Sequence, residues 1–171
     1  MMKSFLLFFS VIASMTFQQC YTLSGISLDP NTETYFVANF KNNAFSSPAA
    51  LEVTVQEALN NKIRTETRLI WDDTDPDVEF QGSLVDYVVT SEAPRAGETT
   101  AINRLTIRLA VDYIVYNDDG TLNEDKGWKS NFSFFYDFDA GIDLSTIEDE
   151  AIDAILEQLM QDIFQKAFAD W

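Results

Sequence analysis

Two runs of strict alternation constrain this chain more than any other feature. In the first, over residues 104–116, Leu105, Ile107, Leu109, Val111, Tyr113 and Val115 share one parity, and Thr106, Arg108, Ala110 and Asp112 share the other. The second, over residues 128–138, places Trp128, Ser130, Phe132, Phe134, Tyr136 and Phe138 on one side. A period of two is the signature of a strand with one apolar face and one wet face. Between the runs, Asn117-Asp118-Asp119-Gly120 is strong turn chemistry, so the two strands are expected to lie side by side and antiparallel. A sheet with one apolar face must be covered by another layer.

Two helices are available to cover it. Ser47 followed by Pro48 reads as an N-cap with proline at the first helical position. A helix over residues 48–65 gathers Leu51, Val55, Ala58, Leu59, Lys62 and Ile63 on one stripe. Near the C-terminus, Ser145-Thr146-Ile147-Glu148 reads as a capping box opening a helix over residues 146–171. Its broad apolar stripe includes Ile152, Ile155, Leu156, Leu159, Ile163 and Phe164, wide enough to lie across a sheet. Residues 34–40 (TYFVANF) suggest a buried strand. Residues 78–90 alternate and then change parity, which a bulge near Gly82 would explain. The order β-α-β-β-β-α defines a two-layer α/β (α+β) sandwich.

Composition narrows function. The 171 residues contain 28 Asp and Glu against 11 Lys and Arg, no histidine and one cysteine. That inventory rules out a Cys/His zinc site, a Ser-His-Asp triad and an internal disulfide, so catalysis would have to rest on carboxylates, Lys or Tyr. No nucleophile and base can be paired, and the reading is of a protein that is not an enzyme and carries no cofactor. A formal charge of −17 at pH 7 repels phosphate backbones and argues against nucleic acid as a partner. With 46% hydrophobic residues the chain can nevertheless bury a core, and its length suits one domain.

The single cysteine sits where it is most informative. Residues 1–19 read as an export signal: Lys3 is a minimal positive start, and residues 5–13 (FLLFFSVIA) form an apolar run too short to span a bilayer. Cys20 follows seven residues later, as in bacterial lipoproteins cut just before a cysteine that then carries acyl chains. Phe17, Gln18 and Gln19 stand where such a site usually has Leu followed by two small residues. The other reading is an ordinary secreted protein with a free thiol, a liability in an oxidising compartment. The expected organisation is a lipoprotein signal over residues 1–19 and a single domain over residues 20–171.

Scattered short motifs then fall into a familiar order. Tyr21-Thr22-Leu23-Ser24-Gly25 follows the cysteine, and Phe40-Lys41-Asn42-Asn43-Ala44 follows the first strand. Further on come Thr67-Arg68-Leu69, Phe80-Gln81-Gly82 with Tyr87, and Asn103-Arg104-Leu105-Thr106. Phe132-Ser133, Asp137-Phe138, Leu144-Ser145, Glu148-Asp149, Asp162-Ile163-Phe164, Ala167 and Trp171 complete the series. In this order and spacing the chain resembles the LptE family of lipopolysaccharide-assembly lipoproteins, in its Bacteroidetes form. The resemblance implies a four-stranded sheet covered by two helices, anchored through Cys20 to the periplasmic face of the outer membrane. It also implies a role as plug and folding partner of an LptD-type β-barrel, with lipopolysaccharide as a further ligand. A lipid-anchored periplasmic module that binds a small amphiphile is the alternative.

Several clusters invite sharper roles. Asp73, Asp75 and Asp77 place carboxylates at alternating positions, as a calcium loop does, but lack its glycine turn and distal Glu; a solvated acidic loop explains them. Glu148, Asp149 and Glu150 suit the positive end of a helix dipole. Contact with an anionic glycolipid needs exposed cations. Arg95, in Ala93-Pro94-Arg95-Ala96-Gly97 between two long strands, and Lys126 and Lys129, flanking Gly127-Trp128 near the opposing loop, are the candidates. The ladder Trp128, Phe132, Phe134, Tyr136 and Phe138 is expected to pack as core beneath Phe164 and Phe168.

Overall fold

A computed structural model of the chain describes residues 28–92 and 101–169. Residues 1–19, Cys20, Arg95 and Trp171 lie outside the described residues.

Eight elements follow in order: β1 (Thr34–Val37), β2 (Lys41–Asn42), α1 (Leu51–Glu66), β3 (Ile70–Trp71), β4 (Val78–Glu92), β5 (Ile102–Val115), β6 (Trp128–Asp139) and α2 (Leu144–Phe168). The expected α+β sandwich is present, but its sheet has six strands, not four. The strand order is β3-β1-β4-β5-β6, with β2 also beside β4. The additional strands, β2 and β3, are two residues each. The expected strand over residues 34–40 ends at Val37, and the chain rejoins the edge of β4 four residues later as β2. β1 runs parallel to β4, a pairing that needs a crossover, and α1 supplies it. β4, β5 and β6 form an antiparallel meander.

Alternation decides which face the helices cover. Leu105, Ile107, Leu109, Val111 and Tyr113 of β5 are all buried, in one cluster with Val78, Phe80, Leu84 and Tyr87 of β4. Leu51, Val55, Leu59 and Ile63 of α1 join that cluster. So do Ile155, Leu159 and Ile163 of α2, so both helices share one face of the sheet. At about 1.5 Å per residue the 25-residue α2 is about 37 Å long, enough to cross the whole meander. Lys62, on the apolar stripe of α1, bridges the helices: its Nζ donates to Gln161 Oε1 at 2.6 Å, pairs with Glu66 at 2.5 Å and lies over the Phe164 ring.

The ends and irregularities differ from the sequence reading, each for a local reason. Ser47 is not an N-cap. Its Oγ accepts from Asn42 Nδ2 at 2.9 Å, and α1 starts at Leu51 after Ala50, whose φ of 64° is left-handed and whose side chain caps nothing. Such short side-chain bonds compete with capping. In α2 the cap is Asp143, which accepts from the Ser145 N–H at 2.9 Å, two residues before the expected box. Glu148 leaves the helix terminus and accepts from Tyr87 Oη at 2.5 Å, pinning α2 to β4. Burial first, then the Glu148 carboxylate, raises the Tyr87 phenol above its usual pKa. The bulge expected near Gly82 falls between Leu84 and Asp86. Gly82 serves close packing instead: a Cβ there would overlap the Phe40 ring and lie 2.8 Å from the Ala110 carbonyl oxygen.

Candidate functional site

With both helices on one side, the other face of the meander is bare among the described residues. Register builds it from Asp86 and Val88 of β4, from Arg104, Thr106, Arg108 and Asp112 of β5, and from Lys129, Ser133, Phe135 and Asp137 of β6. The pairing sets each cation opposite an acid. Arg108 stands across from Asp86, with Nη1 2.9 Å from Oδ2. Lys129 stands across from Asp112 and is ion-paired to it. Arg104 forks onto Asp137, Nε to Oδ1 at 2.6 Å and Nη2 to Oδ2 at 2.8 Å, while its guanidinium lies 3.7 Å from the centre of the Phe135 ring. The Asp137 carboxylate raises the pKa of Arg104 further above its already high value. Exposed pairs of this kind each contribute about 0.2–1 kcal/mol. Their consequence is mainly electrostatic: cross-strand acids neutralise the basic groups of this face.

The hairpin end of the sheet is acidic. Beyond β5, Tyr116 and Leu122 form an isolated bridge, and Asp119 accepts from both the N–H and the hydroxyl of Thr121, which holds its carboxyl below the usual pKa. A cleft of ≈ 390 Å³ here is lined by Asp29, Asp77, Asp118, Asp119 and Lys126 among others. Lys126 Nζ reaches Asp29 Oδ2 at 2.8 Å, tying the loop to the segment before β1 and lowering the pKa of Asp29. A neighbouring cleft of ≈ 480 Å³ is more apolar, with Leu122, Val115 and Trp128 in its wall.

The candidate residues separate on this framework. Lys126 and Lys129 both belong to the hairpin end, but Lys126 ties the loop to Asp29 while Lys129 lies on the bare face. Glu92 and Ile102, the paired residues that bracket the segment holding Arg95, form the opposite end of the β4–β5 pair. The acidic trio also divides: Asp73 and Asp75 stay exposed, whereas Asp77 Oδ2 accepts from the N–H groups of Glu33 and Thr34, each at 2.8 Å, and from Thr34 Oγ1. Asp77 therefore anchors the start of β1. Of the aromatic ladder only Phe138 is fully buried. Trp128 stacks on Tyr113 with 5.4 Å between rings, and Phe132, Phe134 and Tyr136 are half-buried. The ladder packs against the core as expected, but only Phe138 is enclosed by it, because an edge strand has a neighbour on one side only. The Arg104–Phe135–Asp137 cluster was not visible in the sequence, because a long loop separates β5 from β6 and leaves their register undetermined.

These features define a two-layer α+β sandwich whose uncovered sheet face is neutralised by its own cross-strand ion pairs. The family model for LptE, lipopolysaccharide assembly, matches residues 32–167, and the chain belongs to that family. The family is one of non-enzymatic assembly lipoproteins of the cell envelope. Among the described residues no helix is long and apolar enough to cross a membrane. In fold, the chain is similar to a hypothetical protein of Chlamydia trachomatis, at 5% identity and a TM-score of 0.50, covering 81% of this chain and 99% of that one. It is also similar to a putative neuraminyllactose-binding hemagglutinin homolog of Helicobacter pylori, at 9% identity and a TM-score of 0.51, covering 84% of this chain and 87% of that one. No curated protein matches the sequence.

Proposed function

We propose that this protein is an outer-membrane lipoprotein, acylated at Cys20, that docks within an LptD-type β-barrel and helps it assemble for lipopolysaccharide export. Family membership supports the assembly role, and the paired cations of the bare sheet face support docking over carriage of an anionic glycolipid. A carrier of phosphorylated lipid needs unneutralised Lys or Arg converging on one site. Here Arg104, Arg108, Lys126 and Lys129 are held by Asp137, Asp86, Asp29 and Asp112. A rigid face with its charges neutralised in place is suited to lie against a protein wall. Glycolipid contact by Lys126 or Lys129 would require displacing an acid, so Arg95 is the first residue to substitute in testing it. Several acyl chains on Cys20, each stabilising by about 0.8 kcal/mol per buried CH₂, would make attachment effectively permanent.

The tagged protein, extracted in mild detergent, should bring down a large β-barrel in stoichiometric amount; recovery without one overturns the docking reading. Without the barrel, Cys20→Ala should release the protein from the membrane fraction, and retention of the barrel-free variant would count against lipidation. The apolar cleft beside Trp128 and Leu122 favours one second reading, a binding module for a small amphiphile. Native mass spectrometry of barrel-free protein showing one lipid per chain would support that reading instead.

A further inference from the structure

The outer edge of β6 is the longest unpaired strand edge among the described residues. β6 is 12 residues long and ends the sheet, and no described strand pairs with its outer side. A long, flat edge is a template for another strand, and proteins usually blunt it with a bulge, proline or inward-pointing charge. β6 contains no proline, its register with β5 is unbroken from Trp128 to Asp139, and its helix-side residues carry no charge. Those helix-side residues are also incompletely covered. Phe132, Phe134 and Tyr136 pack against the core yet stay partly exposed.

We propose that this edge pairs with β6 of a second copy of the chain, antiparallel, about a two-fold axis through Ser133. The strand is self-complementary under that operation. Lys129, already paired with Asp112, comes opposite Asp137 of the other copy, already held by Arg104, and by symmetry Asp137 opposite Lys129, which extends the pairs within each chain across the edge at both ends of the bare face. On the helix side Phe132 meets Phe134 and Trp128 meets Phe138, directly opposed aromatic pairs of the kind that stabilise antiparallel sheets. A two-fold interface requires this kind of self-complementarity. The two copies are strongly acidic, but at physiological ionic strength charge repulsion is screened beyond about 8 Å, whereas the strand contact acts at shorter range. A copy enclosed in a barrel has no room for a second at this edge, so the pairing describes the protein outside a barrel.

Cysteine cross-linking tests the register in the full chain carrying Cys20→Ala, which removes the native thiol. Directly opposed residues of antiparallel strands have Cα atoms about 4.5–5.5 Å apart, within disulfide reach. Under mild oxidation Ser133→Cys should form a covalent dimer, and Asn131→Cys, whose counterpart is Phe135, should do so at least about tenfold more slowly. Equal rates, or no dimer from Ser133→Cys while circular dichroism shows a folded protein, overturn the proposal. Sedimentation at physiological salt gives a second reading: Cys20→Ala alone dimeric, and Cys20→Ala with Ser133→Asp, which faces Arg108 in its own chain but sets two carboxylates directly opposite each other at the two-fold, monomeric. A monomer in the Cys20→Ala chain at every concentration, or a cross-link from position 133 into a barrel strand instead, overturns it in favour of an edge reserved for another partner.

Discussion

β5 and β6 read alike in the sequence and behave differently in the fold. Both alternate over a dozen or more residues, and both present their apolar parity to the helices. Yet Leu105, Ile107, Leu109, Val111 and Tyr113 of β5 are buried, while on β6 only Phe138 is. The cause is position: β5 is flanked by β4 and β6, whereas β6 has β5 alone beside it. Alternation specifies which face a residue takes, and neighbours on both sides decide how much water it loses. Since burying a large apolar side chain stabilises by roughly 1.5–3 kcal/mol, two strands with similar patterns contribute very unequal amounts.

The most severe test of this contrast is Leu109→Asp. Leu109 has no exposure, and an unpaired carboxylate there has neither water nor a partner, so the domain should lose its cooperative unfolding transition. An unchanged thermal transition would mean that the strand faces are assigned backwards. A quantitative version uses cross-strand partners, because Leu109 pairs with Phe132. Leu109→Ala should cost about 2–5 kcal/mol in urea denaturation, the usual range for a filled core site. Phe132→Ala, although it removes more atoms, should cost only about 1–2 kcal/mol, because the ring is partly in water to begin with. The reverse order would erase the distinction between the two strands.

Faces were legible from the sequence wherever apolar residues kept a strict period, as in β5 and on the buried stripe of α1. Features set by contacts between distant segments were not. The parity change in β4 is visible, and a glycine there suggests a bulge near Gly82, but the irregularity lies between Leu84 and Asp86. What Gly82 accommodates is the Phe40 ring, from a residue 42 positions earlier that no local pattern connects to it. Gly82→Ala should therefore cost about 1–3 kcal/mol by overpacking, less than Leu109→Ala. A neutral result would show that Phe40 moves aside freely. Candidate sites were the least legible, since ion pairing between β5 and β6 depends on a register that only the folded sheet defines.

A smaller effect comes from the parallel edge, which has no long alternating run at all. Partial burial alone would raise the Asp77 carboxyl, but the Glu33 and Thr34 N–H groups and the Thr34 hydroxyl hold its pKa below the usual value. A carboxyl depressed in the folded state contributes stability above its unfolded pKa, about 3.9, and loses it as pH falls through the folded value. Asp77→Asn should cost about 1–2 kcal/mol at pH 7, and the gap to the unsubstituted protein should narrow below about pH 4. A gap independent of pH would mean that the amide keeps the same bonds and that charge contributes nothing.

The smallest expected change lies on the bare face. Phe135, 43% exposed, supports the Arg104 guanidinium, which is held from β6 a second time by Asp137. Exposed cation–π contacts contribute about 0.5–1 kcal/mol, so Phe135→Ala should lower stability by no more than about 1 kcal/mol. A double-mutant cycle with Arg104→Ala should return most of that loss as coupling between the two residues. Removing Phe135 is thus the inverse of removing Leu109: an aromatic ring on a well-formed strand whose loss the isolated domain scarcely registers. A cost above about 2 kcal/mol in the isolated protein would require the face to be covered in solution, because contacts on a wet surface do not reach that size. If instead the loss stays small in isolation and Phe135→Ala abolishes copurification of a barrel, the ring contributes to docking and not to folding.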